Sequence, residues 1–195
     1  MIKIGVLALQ GNFYLHAKRL RELEVEPVEV RKPEHLTGCR GLIIPGGEST
    51  TLEKLLKNTG LFEAIREFNR RAPVFGTCAG AILVGSEVKN HPVEPLNLID
   101  ITVVRNAYGR QIDSFVDMVE VELHGEPETV EGVFIRAPRI IRVGEGVRVI
   151  GRHREDIVLV ETERVMAATF HPELTEDARI HRHFLEKVRR MNAGQ

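Results

Sequence analysis

The stretch that decides the fold is VFGTCAG, residues 74–80. It begins with β-forming apolar residues and leads into an apolar helical segment at 79–84, so Cys78 lies at a strand-to-helix turn. Gly76 and Gly80 flank the cysteine at two residues on each side, where a missing side chain permits a tight turn and close packing. This pattern is typical of a nucleophile elbow in which sulfur replaces the serine oxygen. A thiol at a helix N-terminus also gains thiolate character.

Strands and helices alternate upstream of this stretch. Residues 2–9 are almost all apolar, as in a parallel strand covered on both faces. A helical pattern follows from Asn12, and we expect Pro27 to end that helix. Capping-box spacing between Thr50 and Glu53 predicts that a later helix starts at Thr50. Further strands are predicted at 28–30, 42–44 and 74–75, and further helices at 52–56 and 61–68.

Downstream of residue 98 the pattern changes to β-branched or alternating runs, at 99–104, 116–123, 132–135, 147–150 and 157–160. A last core strand is predicted at 166–170, followed by a helix at 175–191 whose apolar face carries Ile180, Phe184 and Val188. Together these patterns predict an α/β fold. We expect an open, mostly parallel sheet with helices on both faces and some antiparallel strands in the second half, in one domain of residues 1–195.

Composition excludes several classes of function. The chain has 195 residues, 43% of them hydrophobic, and its 27 basic and 28 acidic side chains give a net charge of −1. No nucleic-acid or membrane partner is therefore expected. No apolar run approaches the about 18 residues of a membrane span, so we expect a cytoplasmic protein.

The cysteines and histidines show no spacing typical of a metal site, so no metal is expected. Two cysteines are too few for a disulfide framework. His181 and His183 are two residues apart on a helix and point about 200° apart, so we expect them at the solvent surface.

His171 is the strongest candidate for a base beside Cys78. It follows the predicted strand 166–170, at the end where open α/β sheets place their ligands. Pro172 favours an extended backbone at His171, and in an extended segment Glu173 points the same way and can orient the imidazole. The alternatives are a surface His-Pro-Glu turn and a buried core cysteine, and the latter is our interpretation of Cys39.

Three further features are candidates for binding a substrate. Pro45 is followed by Gly46 and Gly47, which can supply backbone N–H groups to an oxyanion, although most glycine pairs only form turns. Arg105 and Arg136 can each hold a carboxylate through paired hydrogen bonds, although most arginines are solvated or ion-paired.

Six motifs then identify a family: LALQG (7–11), PGGEST (45–50), GTCAG (76–80), RNAYGRQIDSF (105–115), FIRAP (134–138) and FHPELTED (170–177). Together they resemble the glutaminase subunits of pyridoxal 5'-phosphate synthases, a branch of the class I glutamine amidotransferases. GTCAG and His-Pro-Glu alone indicate only the class, whereas RNAYGRQ and FIRAP are specific to the branch. Other class I enzymes usually have glutamine where this chain has Ile82, and the related peptidases have histidine where it has Ala79.

The resemblance implies a Cys78 nucleophile, a His171 acid/base and an orienting Glu173. It also implies a glutamine pocket with an oxyanion hole, formed by Gly46, Gly47, Glu48, Ser49, Arg105, Ile135 and Arg136. The implied reaction converts L-glutamine to L-glutamate and ammonia through a glutamyl thioester. The ammonia is implied to pass to a synthase subunit that makes pyridoxal 5'-phosphate.

No cofactor is expected, since the chain has neither a P-loop nor a G-x-G-x-x-G motif. Family members commonly have glutamate where this chain has Leu15, on a helix that lies at the partner interface in the family. Two alternatives remain open: a stand-alone amide hydrolase or peptidase of the same fold, and a non-catalytic, glutamine-sensing regulatory subunit.

Overall fold

The computed structural model describes residues 1–105 and 114–193. Its helices and strands in chain order are β1 (Lys3–Leu7), α1 (Phe13–Glu22), β2 (Glu26–Val30), β3 (Leu42–Ile44), α2 (Ser49–Asn58), α3 (Leu61–Asn69), β4 (Val74–Thr77), α4 (Ala79–Val84), β5 (Glu87–Lys89), β6 (Ile101–Val104), β7 (Ser114–Glu122), β8 (Pro127–Ile135), β9 (Arg139–Val143), β10 (Arg148–His153), β11 (Asp156–Glu161), β12 (Val165–Ala168) and α5 (Arg179–Ala193). Short 3₁₀ turns lie at Pro33–Leu36 and Pro172–Leu174.

The strands form a sheet with a parallel part and an antiparallel part. Strands β2, β1, β3, β4 and β12 lie side by side in that order, all parallel. Strands β11, β10, β7 and β8 continue the sheet in antiparallel pairs. Strand β9 pairs with β11 and β6, and β6 pairs with β5. The predicted open sheet, with antiparallel strands in the second half, is confirmed.

Helices cover both faces of the parallel part because successive residues of its strands point to opposite sides. In β3, Leu42 and Ile44 pack with helices α2, α3 and α4, whereas Ile43 packs with α1 and α5. The predicted apolar face of α5 is confirmed, since Ile180, Phe184 and Val188 are all buried. Among the described residues, no helix is both long enough and apolar enough to cross a membrane.

Several boundaries differ from the sequence expectations. Helix α1 ends at Glu22, before Pro27, and Pro27 lies within β2. Proline is tolerated there because β2 is an edge strand, where one side of the backbone needs no partner. Strands β5 and β9 were not expected, because both are short and carry charged residues.

The cap expected at Thr50 is wrong. Helix α2 starts at Ser49, and the carboxylate of Glu48 accepts hydrogen bonds from the backbone N–H groups of Thr50 and Thr51. The long side chain of Glu48 reaches the free N–H groups of the first turn. The hydroxyl of Thr50 accepts a hydrogen bond from Arg105 instead.

The surface positions expected for His181 and His183 are also wrong, since both are buried. His183 Nε2 lies 2.9 Å from Glu161 Oε2, and Lys187 Nζ lies 3.0 Å from the same oxygen. His183 and Lys187 can therefore be buried, because both pair with the Glu161 carboxylate, although the sequence pattern placed them on the polar face of the helix. Ligand atoms of His124, His183 and Glu186 lie within 4.8 Å of one another, the group in the described residues that comes nearest to a metal site.

Glu161 is expected to make stability depend on pH. Burial alone disfavours its charge, but His183 and Lys187 outweigh burial and lower the pKa of Glu161 from 4.5 to about 2. Stability from this carboxylate is therefore fully present above pH 4.5 and lost as the pH falls through 2. We expect Glu161→Gln to reduce the pH dependence of the free energy of unfolding between pH 4.5 and 2, measured by urea denaturation at a series of pH values. The exposed Glu155→Gln is the control, and equal pH profiles for Glu161→Gln and the wild type would contradict this.

Candidate active site

Three neighbouring parallel strands bring the predicted site residues together. Strands β3, β4 and β12 are adjacent, with Val74 opposite both Leu42 and Val165. The segment 45–49 follows β3, Cys78 follows β4 and His171 follows β12 by three residues. Carboxyl ends of parallel strands meet at one edge of the sheet, so residues far apart in sequence become neighbours there.

Cys78 occupies the sharp turn that the sequence predicts. Its backbone has φ 52° and ψ −110°, a conformation that costs a non-glycine residue about 1–3 kcal/mol. Both flanking glycines are required for packing: a Cβ at Gly76 would lie 2.3 Å from the Gly80 oxygen, and one at Gly80 would lie 2.0 Å from the Ile44 oxygen. The turn therefore holds the thiol at a fixed place above the sheet edge.

His171 lies between Cys78 and Glu173. Its Nδ1 is 2.7 Å from Glu173 Oε1, and Glu173 is almost completely buried. Burial disfavours the protonated ring, but hydrogen bonds and charge interactions with Cys78 and Glu173 outweigh it and raise the pKa of His171 to about 10. The imidazole therefore carries a proton at neutral pH, next to the sulfur.

A cavity of about 570 Å³ opens in front of the thiol. That volume lies within the about 300–1,000 Å³ typical of small-molecule sites. Its lining includes every predicted site residue except Glu173, which is buried behind His171: Gly46, Gly47, Glu48, Ser49, Cys78, Arg105, Ile135, Arg136 and His171. The backbone of Gly46 packs directly on the reactive pair, since a Cβ there would lie 2.7 Å from His171 Cε1 and 3.2 Å from Cys78 Cβ.

The two candidate arginines differ in their surroundings. Arg105 Nη2 lies 2.8 Å from Glu48 Oε1, and Arg105 also contacts His91. Burial opposes the charge of Glu48, but hydrogen bonds from Thr51 and Thr50 outweigh it and lower the pKa of Glu48 to about 2. Arg105 is thus held by a carboxylate of the protein itself.

Arg136 is exposed at the cavity wall with a positive φ of 45°. No side chain within residues 1–105 and 114–193 forms an ion pair with it. Its guanidinium is therefore the better placed of the two candidate arginines to meet a substrate carboxylate. Residues 106–113, most of the RNAYGRQIDSF motif, lie outside the described part of the chain.

Two residues at the site were missed by sequence reasoning. Gln10 Oε1 accepts a hydrogen bond from the Glu48 backbone N–H at 2.8 Å, and a Cβ at Gly47 would lie 2.7 Å from that oxygen. His16 Nε2 lies 3.4 Å from Glu173 Oε2. Gln10 belongs to the LALQG motif, which indicated the family but suggested no role for this side chain. For His16 the sequence indicated only that it lies on a predicted helix.

Comparison with known proteins places the chain in a family. Residues 6–190 match the SNO glutamine amidotransferase family. The pyridoxal 5'-phosphate synthase subunit PdxT of Pelotomaculum thermopropionicum is 51% identical, over all of this chain and 98% of that protein. The protein of the same name from Desulforudis audaxviator is 49% identical, over 96% of this chain and all of that protein.

Solved structures agree with the sequence relatives. A crystal structure of a glutamine amidotransferase has 47% identity and a TM-score of 0.89, covering 95% of this chain and 98% of that one. PurLQS from Thermotoga maritima, at 16% identity and a TM-score of 0.66 over 99% of this chain and 98% of that one, shares the fold. The family and enzyme class predicted from the sequence are confirmed. The chain belongs to the SNO glutamine amidotransferase family.

Proposed function

We propose that Cys78, His171 and Glu173 hydrolyse L-glutamine to L-glutamate and ammonia, and that the ammonia passes to a synthase subunit that makes pyridoxal 5'-phosphate. The observation that carries the proposal is the thiol of Cys78 on a strained turn, facing a cavity, beside an imidazole held by a buried carboxylate. Membership in the amidotransferase family and relatives named as synthase subunits support the choice of glutamine and of the partner.

The first half of the reaction forms a thioester. Cys78 attacks the side-chain amide carbon of glutamine as a thiolate, with protonated His171 beside it. The carbonyl π electrons move onto oxygen and return as the C–N bond breaks. His171 gives its proton to the leaving nitrogen, which departs as ammonia and leaves a glutamyl thioester on Cys78.

The second half regenerates the enzyme. Neutral His171 takes a proton from water, and the hydroxide formed attacks the thioester carbon. The C–S bond breaks, glutamate is released, and the sulfur and imidazolium return to their starting charges. Glu173 stays ionised throughout and keeps His171 Nδ1–H in place, so that Nε2 serves both transfers.

The negative oxygen formed in each half needs hydrogen-bond donors. The N–H of the residue after the nucleophile, Ala79, is the donor that an elbow provides. The backbone of Gly46 and Gly47 lines the same cavity, with Gly46 against Cys78 and His171, and is proposed to supply the second donor once the synthase subunit is bound. Arg136 is proposed to bind the substrate carboxylate, and Ser49 and Ile135 to line the pocket beside it.

Ammonia release from glutamine, measured with and without the synthase subunit, tests this function. Glutamine-specific release that depends on the partner supports it. Release that is independent of the partner, or activity on other amides, indicates a stand-alone hydrolase or peptidase. Glutamine binding without release under both conditions indicates a regulatory subunit.

Substitutions in the proposed triad are expected to differ in severity. His171→Asn removes the proton carrier, whereas Glu173→Gln removes only the group that orients it, so the histidine change should reduce kcat more. The measurement is initial ammonia release at saturating glutamine, with the synthase subunit present. If Glu173→Gln is as fast as the wild type, the carboxylate has a structural role and the assignment of Glu173 is wrong.

A further inference from the structure

Two more histidines extend the buried polar chain behind His171. His16, on α1, lies between Glu173 and His181 of α5: its Nε2 is 3.4 Å from Glu173 Oε2, and its Nδ1 is 2.9 Å from His181 Nε2. Both rings are fully buried. The series His181, His16, Glu173, His171 and Cys78 thus joins α5 and α1 to the thiol.

The directions of the hydrogen bonds in this chain can be assigned. Burial, the main cause, lowers the pKa of His16 to about 4 and holds the pKa of His181 well below its ordinary value, so both rings are neutral. A neutral ring donates at one nitrogen and accepts at the other. The Glu173 carboxylate only accepts, so His16 must present Nε2–H to it and accept at Nδ1 from His181.

This assignment leaves the lone pair of His181 at Nδ1, an atom that has no hydrogen-bond partner among the described residues. The opposite tautomer of His16 would point a lone pair at the carboxylate. In this assignment the Nε2–H of His16 also donates to the hydroxyl of Thr77, the residue before Cys78, which lies 3.3 Å from Nε2.

Glu173 Oε2 depends on His16. This oxygen is buried and accepts no hydrogen bond within the described part of the chain, and it lies 3.4 Å from His16 Nε2. The other oxygen, Oε1, is bound by His171. A carboxylate held at one oxygen only can rotate about its last bond and move the atom that orients His171. We propose that His16, fixed by His181, is a positioning residue that holds the second oxygen of Glu173 in place. This inference rests on the proposed glutaminase function.

Two variants of similar polarity test the inference. In His16→Asn the amide nitrogen lies near the position of the former Nδ1, and the side chain is too short to reach Glu173. In His16→Gln the amide nitrogen lies near the position of the former Nε2 and can reach Glu173. In the complex with the synthase subunit, we expect His16→Asn to lower kcat about 10- to 100-fold, the range known for groups that orient the ligands of a metal ion, with little change in KM for glutamine. His16→Gln should recover most of that loss. His183→Asn, a buried histidine paired with Glu161, is the control and should leave kcat unchanged.

A double-mutant cycle separates positioning from general destabilisation. If His16 acts through Glu173, His16→Asn should cause almost no further loss of kcat in the Glu173→Gln background. Equal losses in both backgrounds, or a His16→Gln variant as slow as His16→Asn, would overturn the inference and leave the glutaminase function intact. Absence of glutamine hydrolysis by the wild-type complex would instead overturn the proposed function, and the inference with it.

Discussion

Replacing Cys78 with alanine is expected to abolish ammonia release from glutamine. Loss of the nucleophile of a triad lowers kcat by about 10⁶-fold, because no other group can form the covalent intermediate. The fold should persist, since alanine is smaller and the turn geometry is set by Gly76, Gly80 and their contacts. Initial rates in the complex and the thermal unfolding midpoint of the variant measure the two effects separately.

Cys39→Ala is the matched control for this variant. Cys39 is also buried, and its thiol donates to the backbone oxygen of His35, away from the cavity. We expect it to retain near wild-type activity. Equal loss of activity in both cysteine variants, or an active Cys78→Ala enzyme, would contradict the assignment of the nucleophile.

The second large effect concerns the partner. A glutaminase whose ammonia is used at another active site wastes glutamine when it acts alone, so we expect the isolated chain to be nearly inactive. The incomplete part is proposed to be the oxyanion hole at Gly46 and Gly47, because glycine peptides reorient easily and one missing donor costs about 10²- to 10³-fold. In the structure the neighbouring Glu48 N–H is bound to Gln10. Addition of the synthase subunit should therefore raise kcat far more than it changes KM.

Gly47→Val is expected to abolish the stimulation. Gly47 has φ 156°, and a Cβ there would lie 2.7 Å from Gln10 Oε1 and 3.3 Å from Leu52 Cδ1. Gly125→Val is the control, because Gly125 also has a positive φ but no atom within 4 Å of its Cβ position. An isolated chain that hydrolyses glutamine as fast as the complex would contradict this account of the partner.

Much of this architecture could be predicted because short-range patterns determine it. The core strands are visible as short apolar runs, and the turn at Cys78 is visible from the glycines two residues away on each side. The structure confirms the sheet that these patterns predict. The place of His171 could be predicted for the same reason, since the end of a core strand and the following proline are both visible in sequence.

What was missed depends partly on a local alternative and partly on long-range contacts. Glu48 caps α2 because its carboxylate accepts hydrogen bonds from two backbone N–H groups of the first turn. The hydroxyl of Thr50 instead accepts a hydrogen bond from Arg105, which follows β6 and is distant in sequence. The burial of His181 depends on His16, which lies on the first helix. No pattern within one helix shows that two polar side chains from different helices will satisfy each other in the core.

The central claim is that Cys78 forms a covalent glutamyl thioester. Rapid acid quenching of the complex during turnover, followed by mass spectrometry of the peptide containing residue 78, tests it most directly. The account predicts one added glutamyl group on Cys78 in the wild type, none on Cys39, and none anywhere in Cys78→Ala. Turnover of glutamine without any adduct on Cys78, or an adduct on another residue, would contradict it.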